Sequence, residues 1–314
     1  MNILVLGGDG FLGSHVVDQL VPTGHEITVF DRFPYRISRN LEHHRNSIRF
    51  ISGEFQNRDD LFKALSGKDI VYHFVSATNP AASWNDPLIE VEENIRSSIM
   101  FFDLAVRQGV KKIVFPSSGG TVYGPQNLPV DENTIPQPLS PYGIAKLTTE
   151  HFLNYFRLHY GIASDIYRIG NPYGSRQPVM RPQGVIAVWM HEILNGSEIQ
   201  IYGNNTTLRD YIYIKDVAYL MSHSLKNLVS SDVYNLGSGI GTSIMQLLNI
   251  FQQVVDIPFR YRIQEKRPSD NSSIVLDSSK LMKLFPGFRC QKLEEKIDET
   301  WTYFKTSFHE PDIY

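Results

Sequence analysis

A single cysteine, Cys290, leaves no disulfide possible within the chain. Disulfide frameworks mark oxidising compartments, so a reducing, cytoplasmic setting is expected. Cys290 reads as a small structural hydrophobe rather than a reactive thiol. Excess charge is lacking too. The net charge of −3 provides neither a nucleic-acid footprint nor a polybasic membrane patch. The pair Lys111-Lys112 reads as solvated surface. No hydrophobic run approaches a membrane-spanning length. The opening run, Asn2 to Leu6, is too short for the core of a signal peptide and follows no basic residue. His, Cys and Asp residues fall nowhere at metal-ligand spacing, so no metal is expected. Internal repeats and low-complexity linkers are also missing.

What is present suits a globular α/β protein. Apolar residues make up 42% of the chain, enough for a sizeable core in one large domain or two smaller ones. Ile3 to Leu6 is short, apolar and ended by glycines, the signature of a fully buried strand. Gly7, Gly10 and Gly13 follow, and Ser14, Val16, Val17 and Leu20 then recur at helical spacing. Around Gly24 the helix stops, and Ile27 to Phe30 gives a second strand ending at Asp31. In such a βαβ unit Gly7 and Gly10 permit a tight turn and close approach to a pyrophosphate. Gly13 allows close helix packing, and the helix N-terminus faces the phosphates. Asp31 is placed to accept hydrogen bonds from an adenosine ribose, favouring NAD, whereas the adjacent Arg32 could hold the 2′-phosphate of NADP.

Strands and helices keep alternating. Ile48–Ser52, Asp69–Val75 and Lys112–Pro116 read as strands, and Asp59–Leu65 and Leu88–Gly109 as helices. This predicts a Rossmann-type doubly wound parallel sheet with its ligand at the carboxyl ends of the strands. His73, inside a strand, reads as a satisfied core histidine. Beyond Asn171 the alternation loosens. Helices are expected at Gln183–Leu194, Asp216–Leu225 and Ser243–Val255, with strands at Glu198–Tyr202, Arg209–Ile214 and Asp232–Leu236. The expected organisation is a Rossmann domain over 1–170, with segments around 205–240 returning to it. Residues 171–314 form mainly a smaller C-terminal α/β substrate-binding subdomain, with a cleft between the two.

Ser117 to Gly124, directly after a strand, is either a plain Gly/Ser turn or a loop whose hydroxyls bind a substrate hydroxyl. Pro141 then suits the first position of a helix through Tyr160. On it Tyr142 and Lys146 stand one turn apart on the same face. An unperturbed phenol titrates near about 10, and a fixed ammonium beside it favours the phenolate.

These motifs, taken in order, resemble the extended short-chain dehydrogenase/reductases of the NAD-dependent epimerase/dehydratase family. The chain is most similar to the UDP-glucose and UDP-N-acetylglucosamine 4-epimerases. The resemblance spans nearly all residues. It rests on Gly7-x-x-Gly10-x-x-Gly13, Asp31, the Ser117–Gly124 loop and Tyr142-x-x-x-Lys146. Arg168, Asn171-Pro172-Tyr173-Gly174, Arg209-Asp210-Tyr211-Ile212 and Arg267-Pro268-Ser269-Asp270 complete it.

The resemblance implies Tyr142 as catalytic base, with Lys146 tuning it and holding the nicotinamide ribose. It further implies cofactor contacts from Gly7, Gly10, Phe11, Leu12, Gly13, Asp31 and Arg32. Glu54 and Phe55 would meet the adenine, and Phe74, Val75, Ser76, Asn94 and Ser117 would line the cofactor. Substrate contacts would come from Thr121, Asn171, Val185, Tyr202, Arg209, Arg267 and Asp270, where arginines suit a diphosphate. The implied reaction is transient oxidation of a nucleotide sugar at C4 by bound NAD, rotation of the 4-keto sugar and return of hydride to its other face. A homodimer built on a four-helix bundle of Leu88–Gly109 and Ser140–Tyr160 is implied as well.

One departure concerns the loop. The family's Ser or Thr aligns with Gly119, so Ser118 is assigned the catalytic hydroxyl, with Thr121 or a water as alternatives. Gly119-Gly120 also lacks the acidic pair of the related 4,6-dehydratases and the carboxylate of the decarboxylating relatives. Ile274 aligns near the sugar pocket, and a medium aliphatic leaves room for N-acetylated substrates. The alternatives are another nucleotide-sugar epimerase or reductase of the family, or a non-catalytic NAD-binding regulator.

Overall fold

A computed structural model describes residues 1–33, 38–179, 184–203, 207–265 and 273–308. Among these, the strands in chain order are β1 (Asn2–Leu6), β2 (Glu26–Asp31), β3 (Arg49–Ser52), β4 (Ile70–His73), β5 (Lys112–Ser118) and β6 (Ala163–Ile169). There follow β7 (Asn171–Tyr173), β8 (Ile199–Tyr202), β9 (Leu208–Tyr213), β10 (Asp232–Leu236), β11 (Gly241–Ser243) and β12 (Tyr261–Gln264). The helices are α1 (Phe11–Leu20), α2 (Arg58–Leu65), α3 (Arg96–Arg107), α4 (Gly119–Val122) and α5 (Pro141–Tyr160). The later ones are α6 (Val185–Leu194), α7 (Ile214–Met221), α8 (Ile244–Val254), α9 (Ser279–Met282) and α10 (Leu293–Ser307).

Ile3, Leu4, Val5 and Leu6 are wholly removed from water, as a strand covered on both faces requires. β1 lies inside a seven-stranded sheet of order β10-β6-β5-β4-β1-β2-β3. β1 pairs in parallel with β2 and β4, β2 with β3, and β4 with β5. The Rossmann-type sheet predicted from the alternation is therefore present. Its strand order reverses between β1 and β4, the switch point where such sheets bind ligands. One hydrophobic core packs Leu4, Leu6 and Val71 of the sheet against Leu61 and Leu65 of α2 and Phe101 and Phe102 of α3, with Leu153 and Phe156 of α5 joining them.

The chain divides into two compact units. The first comprises 1–122, 138–168 and 218–234, and the second 123–137, 169–217 and 235–314. The second holds a three-stranded sheet, β11-β9-β7, and a two-stranded one, β12-β8. Its core includes Trp189 of α6 edge-on to Phe251 of α8, 5.2 Å between centroids.

Several local expectations are corrected. Lys112 is not solvated: it is 1% exposed, and its Nζ lies 2.6 Å from Asp165 on β6 and 2.7 Å from the Asn227 carbonyl. An ammonium tolerates burial when a carboxylate and a carbonyl replace its water. The Leu88–Gly109 helix is interrupted by a π-helical turn over Glu90–Ile95 before α3 begins. The helix expected through Leu225 tightens to a 3₁₀ turn, Ser222–Lys226, after α7. β12 is a strand the sequence reading does not expect: its four residues alternate apolar and polar but are mostly exposed, too short a run to stand out. Gln183, expected at the start of a helix, lies outside the described residues.

Candidate active site

At the end of β1, Gly7 has φ of +70°, and a Cβ there would lie 3.0 Å from backbone atoms of Phe74 and Val75. A Cβ on Gly13 would lie 2.3 Å from the Gly7 carbonyl oxygen, so the first turn of α1 rests on the loop itself. Gly10 caps α1 without a side-chain hydrogen bond, and no acid occupies the first turn. The helix start is thus a bare backbone cradle suited to an anion. Phe11 and Leu12, both half-buried, are the first two residues of α1.

Asp31, at the end of β2, accepts the backbone N–H of Asp9 at 3.0 Å and of Arg32 at 2.8 Å. Burial, only partly offset by these two donors, raises its carboxyl above the ordinary range. Arg32 and Glu54 are exposed, and Phe55 is buried, stacked 4.8 Å from His73. Phe74, Val75 and Ser76 are half-buried on the segment after β4.

Ser140 caps α5 by accepting the Gly143 N–H at 3.1 Å, and Pro141 takes its first position. Tyr142 and Lys146 project from the first two turns. Lys146 Nζ donates to the Pro116 carbonyl at 3.0 Å and lies 4.7 Å from the Phe115 ring centroid and 5.5 Å from that of Tyr142. Burial lowers the Lys146 ammonium to about 8, against the opposing fields of Glu90 and Glu150. The Tyr142 phenol is pushed upward, by burial first and then by Glu90. This reverses the direction that its proximity to Lys146 alone predicts, because desolvation of the phenolate outweighs the ammonium's attraction.

His73 is buried as expected. One ring nitrogen meets Ser98 Oγ at 3.3 Å, while Nδ1 has no hydrogen-bond partner. Burial, followed by the charge of Lys146, lowers its imidazole to about 3. A small cavity is lined by His73, Ser76, Glu90, Asn94, Ser98 and Lys146. In sequence nothing distinguishes Glu90 from its neighbours Glu92 and Glu93, because an acid in a helix carries no signal of burial.

Near the end of β5, Ser117 Oγ donates to Glu150 of α5, which also pairs with Arg168 at 2.7 Å. Ser118, half-buried, ends β5, and Gly119 opens α4. The Thr121 hydroxyl is buried and has no hydrogen-bond partner. In the second unit, Asn171 starts β7 and Arg209 lies on the neighbouring β9; Asn171 Oδ1 is buried without a partner. Val185 opens α6, and Tyr202 ends β8. Ile274 is 2% exposed. Arg267 and Asp270 lie outside the described residues. Cys290 is partly buried; burial and nearby Asp216 and Asp210 push its thiol up to about 12.

Among the described residues, Asp18, His43 and His44 bring their side chains together: both Nε2 atoms lie within 3.0 Å of Asp18 Oδ1. Their separation in the chain hid the grouping from spacing arguments. No helix among the described residues is long and apolar enough to cross a membrane.

A model of the NAD dependent epimerase/dehydratase family matches residues 3–237. The chain is 29% identical over 313 residues to a UDP-glucose 4-epimerase of Mycolicibacterium smegmatis, covering 97% of this chain and 99% of the relative. It is 30% identical over 302 residues to a dTDP-4-dehydro-6-deoxyglucose reductase of Escherichia coli, covering 95% and 96%. The crystal structure of a Thermotoga maritima UDP-glucose 4-epimerase with UDP-glucose superposes with a TM-score of 0.88 at 32% identity, over 98% of this chain and 100% of the other.

Proposed function

Because this chain belongs to the NAD dependent epimerase/dehydratase family, we propose that it is an NAD-dependent nucleotide-sugar 4-epimerase. Its substrates are the UDP-glucose/UDP-galactose pair or their N-acetyl forms, interconverted through a transient 4-keto sugar. The observation that carries the reading is the pairing on α5 of a buried phenol, Tyr142, with a half-buried, carbonyl-anchored ammonium, Lys146. The uncapped glycine cradle before α1 and the carboxylate of Asp31 fit a dinucleotide. NAD, when bound, supplies the acceptor and later the donor of hydride at the sugar's C4.

The chain's own residues handle the proton and the positioning. Tyr142 takes the 4-hydroxyl proton onto its phenolic oxygen in the oxidising half-reaction and returns it in the reducing half. Burial makes the phenol hold its proton, which suits it to wait as an acid for the second half. The Lys146 charge favours the phenolate needed in the first. Ser118 supplies the hydroxyl that shares the substrate's hydrogen bond, with the buried, unpartnered Thr121 hydroxyl as the alternative. Residues 171–314 contribute mainly to nucleotide-sugar binding, with Asn171, Val185, Tyr202, Arg209, Arg267 and Asp270 holding the diphosphate and its nucleoside. Exposed Leu88 and Val91, and Ile144 and Leu158 on α5, support homodimerisation through a four-helix bundle. The single free cysteine suits the cytoplasm.

A second reading, reduction of a 4-keto nucleotide sugar, is favoured by the likeness to the Escherichia coli reductase. Purified protein, without added NAD, is incubated with UDP-glucose, UDP-galactose and both N-acetyl forms, and the products are separated by chromatography. Interconversion of a 4-epimer pair is expected. No conversion even with NAD, together with consumption of NADH or NADPH on a dTDP-4-keto-6-deoxy sugar, would replace this reading with the second. Light scattering on the same sample tests the dimer.

A further inference from the structure

Glu90 is 3% exposed. A carboxylate so far from water is expensive unless hydrogen bonds and charge compensate it. Its bonds are well defined. Thr78 Oγ1 donates to Glu90 Oε1, and Asn94 Nδ2 donates to Oε2 at 2.7 Å. Asn94 Nδ2 also reaches Thr78 Oγ1 at 3.2 Å, while its Oδ1 accepts the Ala77 N–H at 2.9 Å. Ser76 Oγ donates to the Thr78 carbonyl at 3.1 Å. Glu90 therefore fastens the segment leaving β4 to the π-helical turn that carries both Glu90 and Asn94. π-helical turns recur at functional sites.

The same carboxylate lines the small cavity with Lys146, Asn94 and His73. From α5 the groups that feel or adjoin its charge are Tyr142 and Lys146, with Glu150 a turn further on; from β4 it is His73. Glu92 and Glu93, on its own turn, are exposed.

We infer that Glu90 is a positioning residue for the reaction proposed above, holding Asn94 and the 76–78 segment in place and setting the charge that Tyr142 and Lys146 experience. The inference rests on the epimerase reading and on the cofactor-lining role that the family resemblance implies for Asn94 and Ser76, which share the small cavity with Lys146. Burial alone would make Glu90 a fold residue. Its double engagement, with the segment after β4 and with the Tyr142–Lys146 pair, makes it more than that.

The test compares Glu90→Gln, which keeps the shape and most hydrogen bonds but removes the charge, with Glu90→Ala, which removes both. Full-length holoenzyme is assayed for 4-epimerisation across pH, and NAD affinity is measured separately by fluorescence titration. Glu90→Gln is expected to keep kcat within a few fold at its optimum. Its acid limb should move to lower pH by on the order of one unit, because the negative charge opposing ionisation of Tyr142 is gone. Glu90→Ala should lower kcat by ~10–100-fold with little change in KM for the sugar, and weaken NAD several-fold. A merely structural role would lower the melting temperature of both variants and leave the pH limb in place. The inference is overturned if the limb of Glu90→Gln superimposes on that of the wild type, or if Glu90→Ala retains its kcat and NAD affinity. If Glu90→Ala does not fold, Glu90→Gln alone decides. Wild-type protein that binds NAD but converts no sugar would sink the epimerase reading, and NAD affinities of the variants equal to wild type would then sink this one as well.

Discussion

Arg168 and Glu150 form an ion pair sealed from water. Arg168 Nη2 lies 2.7 Å from Glu150 Oε2, and its Nε lies 3.2 Å from each carboxylate oxygen. Both side chains are less than a tenth exposed. Ser117 adds a third donor to the same carboxylate, so the pair ties β6, the end of β5 and α5 together one turn beyond Lys146. Arg168→Met strands Glu150 without its main partner. Breaking one side of such a buried pair costs about 3–5 kcal/mol. Urea unfolding should show that loss, and Glu150→Met placed on top of it should recover part of the stability.

Tyr142→Phe removes one oxygen from a side chain that is 9% exposed. The packing survives and the proton acceptor does not. Turnover should fall by ~10²–10⁴-fold, the usual contribution of a positioned base. NAD released on denaturation should remain equimolar with wild type. Activity close to wild type would remove Tyr142 from the mechanism.

Gly13→Ala places a Cβ 2.3 Å from the Gly7 carbonyl oxygen. Helical backbone itself accepts alanine, so the clash must lift α1 from the loop. Overpacking of this kind costs ~1–3 kcal/mol. The purified variant should carry little or no NAD, while its far-ultraviolet circular dichroism stays that of the wild type.

His73 titrates near about 3 in the fold instead of its ordinary 6.5, because burial penalises the imidazolium. Between these values the unfolded chain binds the extra proton, so stability rises with pH through that window. The stabilisation of the neutral ring is complete above 6.5 and is lost as pH falls toward 3. Lowering pH from 7 to 4.5 should therefore cost wild type ~2–3 kcal/mol more than His73→Gln, whatever the variant loses at neutral pH. Parallel stability curves for the two proteins over that range would contradict the assignment.

The legible parts of the site are those whose chemistry is contiguous. Gly7, Gly10 and Gly13 announce a turn, and at Gly7 and Gly13 the Cβ contacts show that only a bare backbone fits. The alternation of strands and helices foretold the parallel sheet, since a strand covered on both faces must be apolar throughout. Lys112 reads as exposed in sequence because a charge does so until its partner is known; Asp165 and Asn227 arrive from distant parts of the chain. Glu90 was missed for the same reason.

The sequence by itself determined the class of fold, the dinucleotide turn and the Tyr142–Lys146 pair, because each depends on residues a few positions apart and on backbone sterics that act locally. Tertiary structure decided the burial. It turned Glu90 and Lys112 inward, left the hydroxyl of Thr121 without a partner and raised the Tyr142 phenol that its neighbour Lys146 alone would lower. The physical reason is desolvation, which depends on everything packed around a group, while spacing along the chain reports only on the nearest turn.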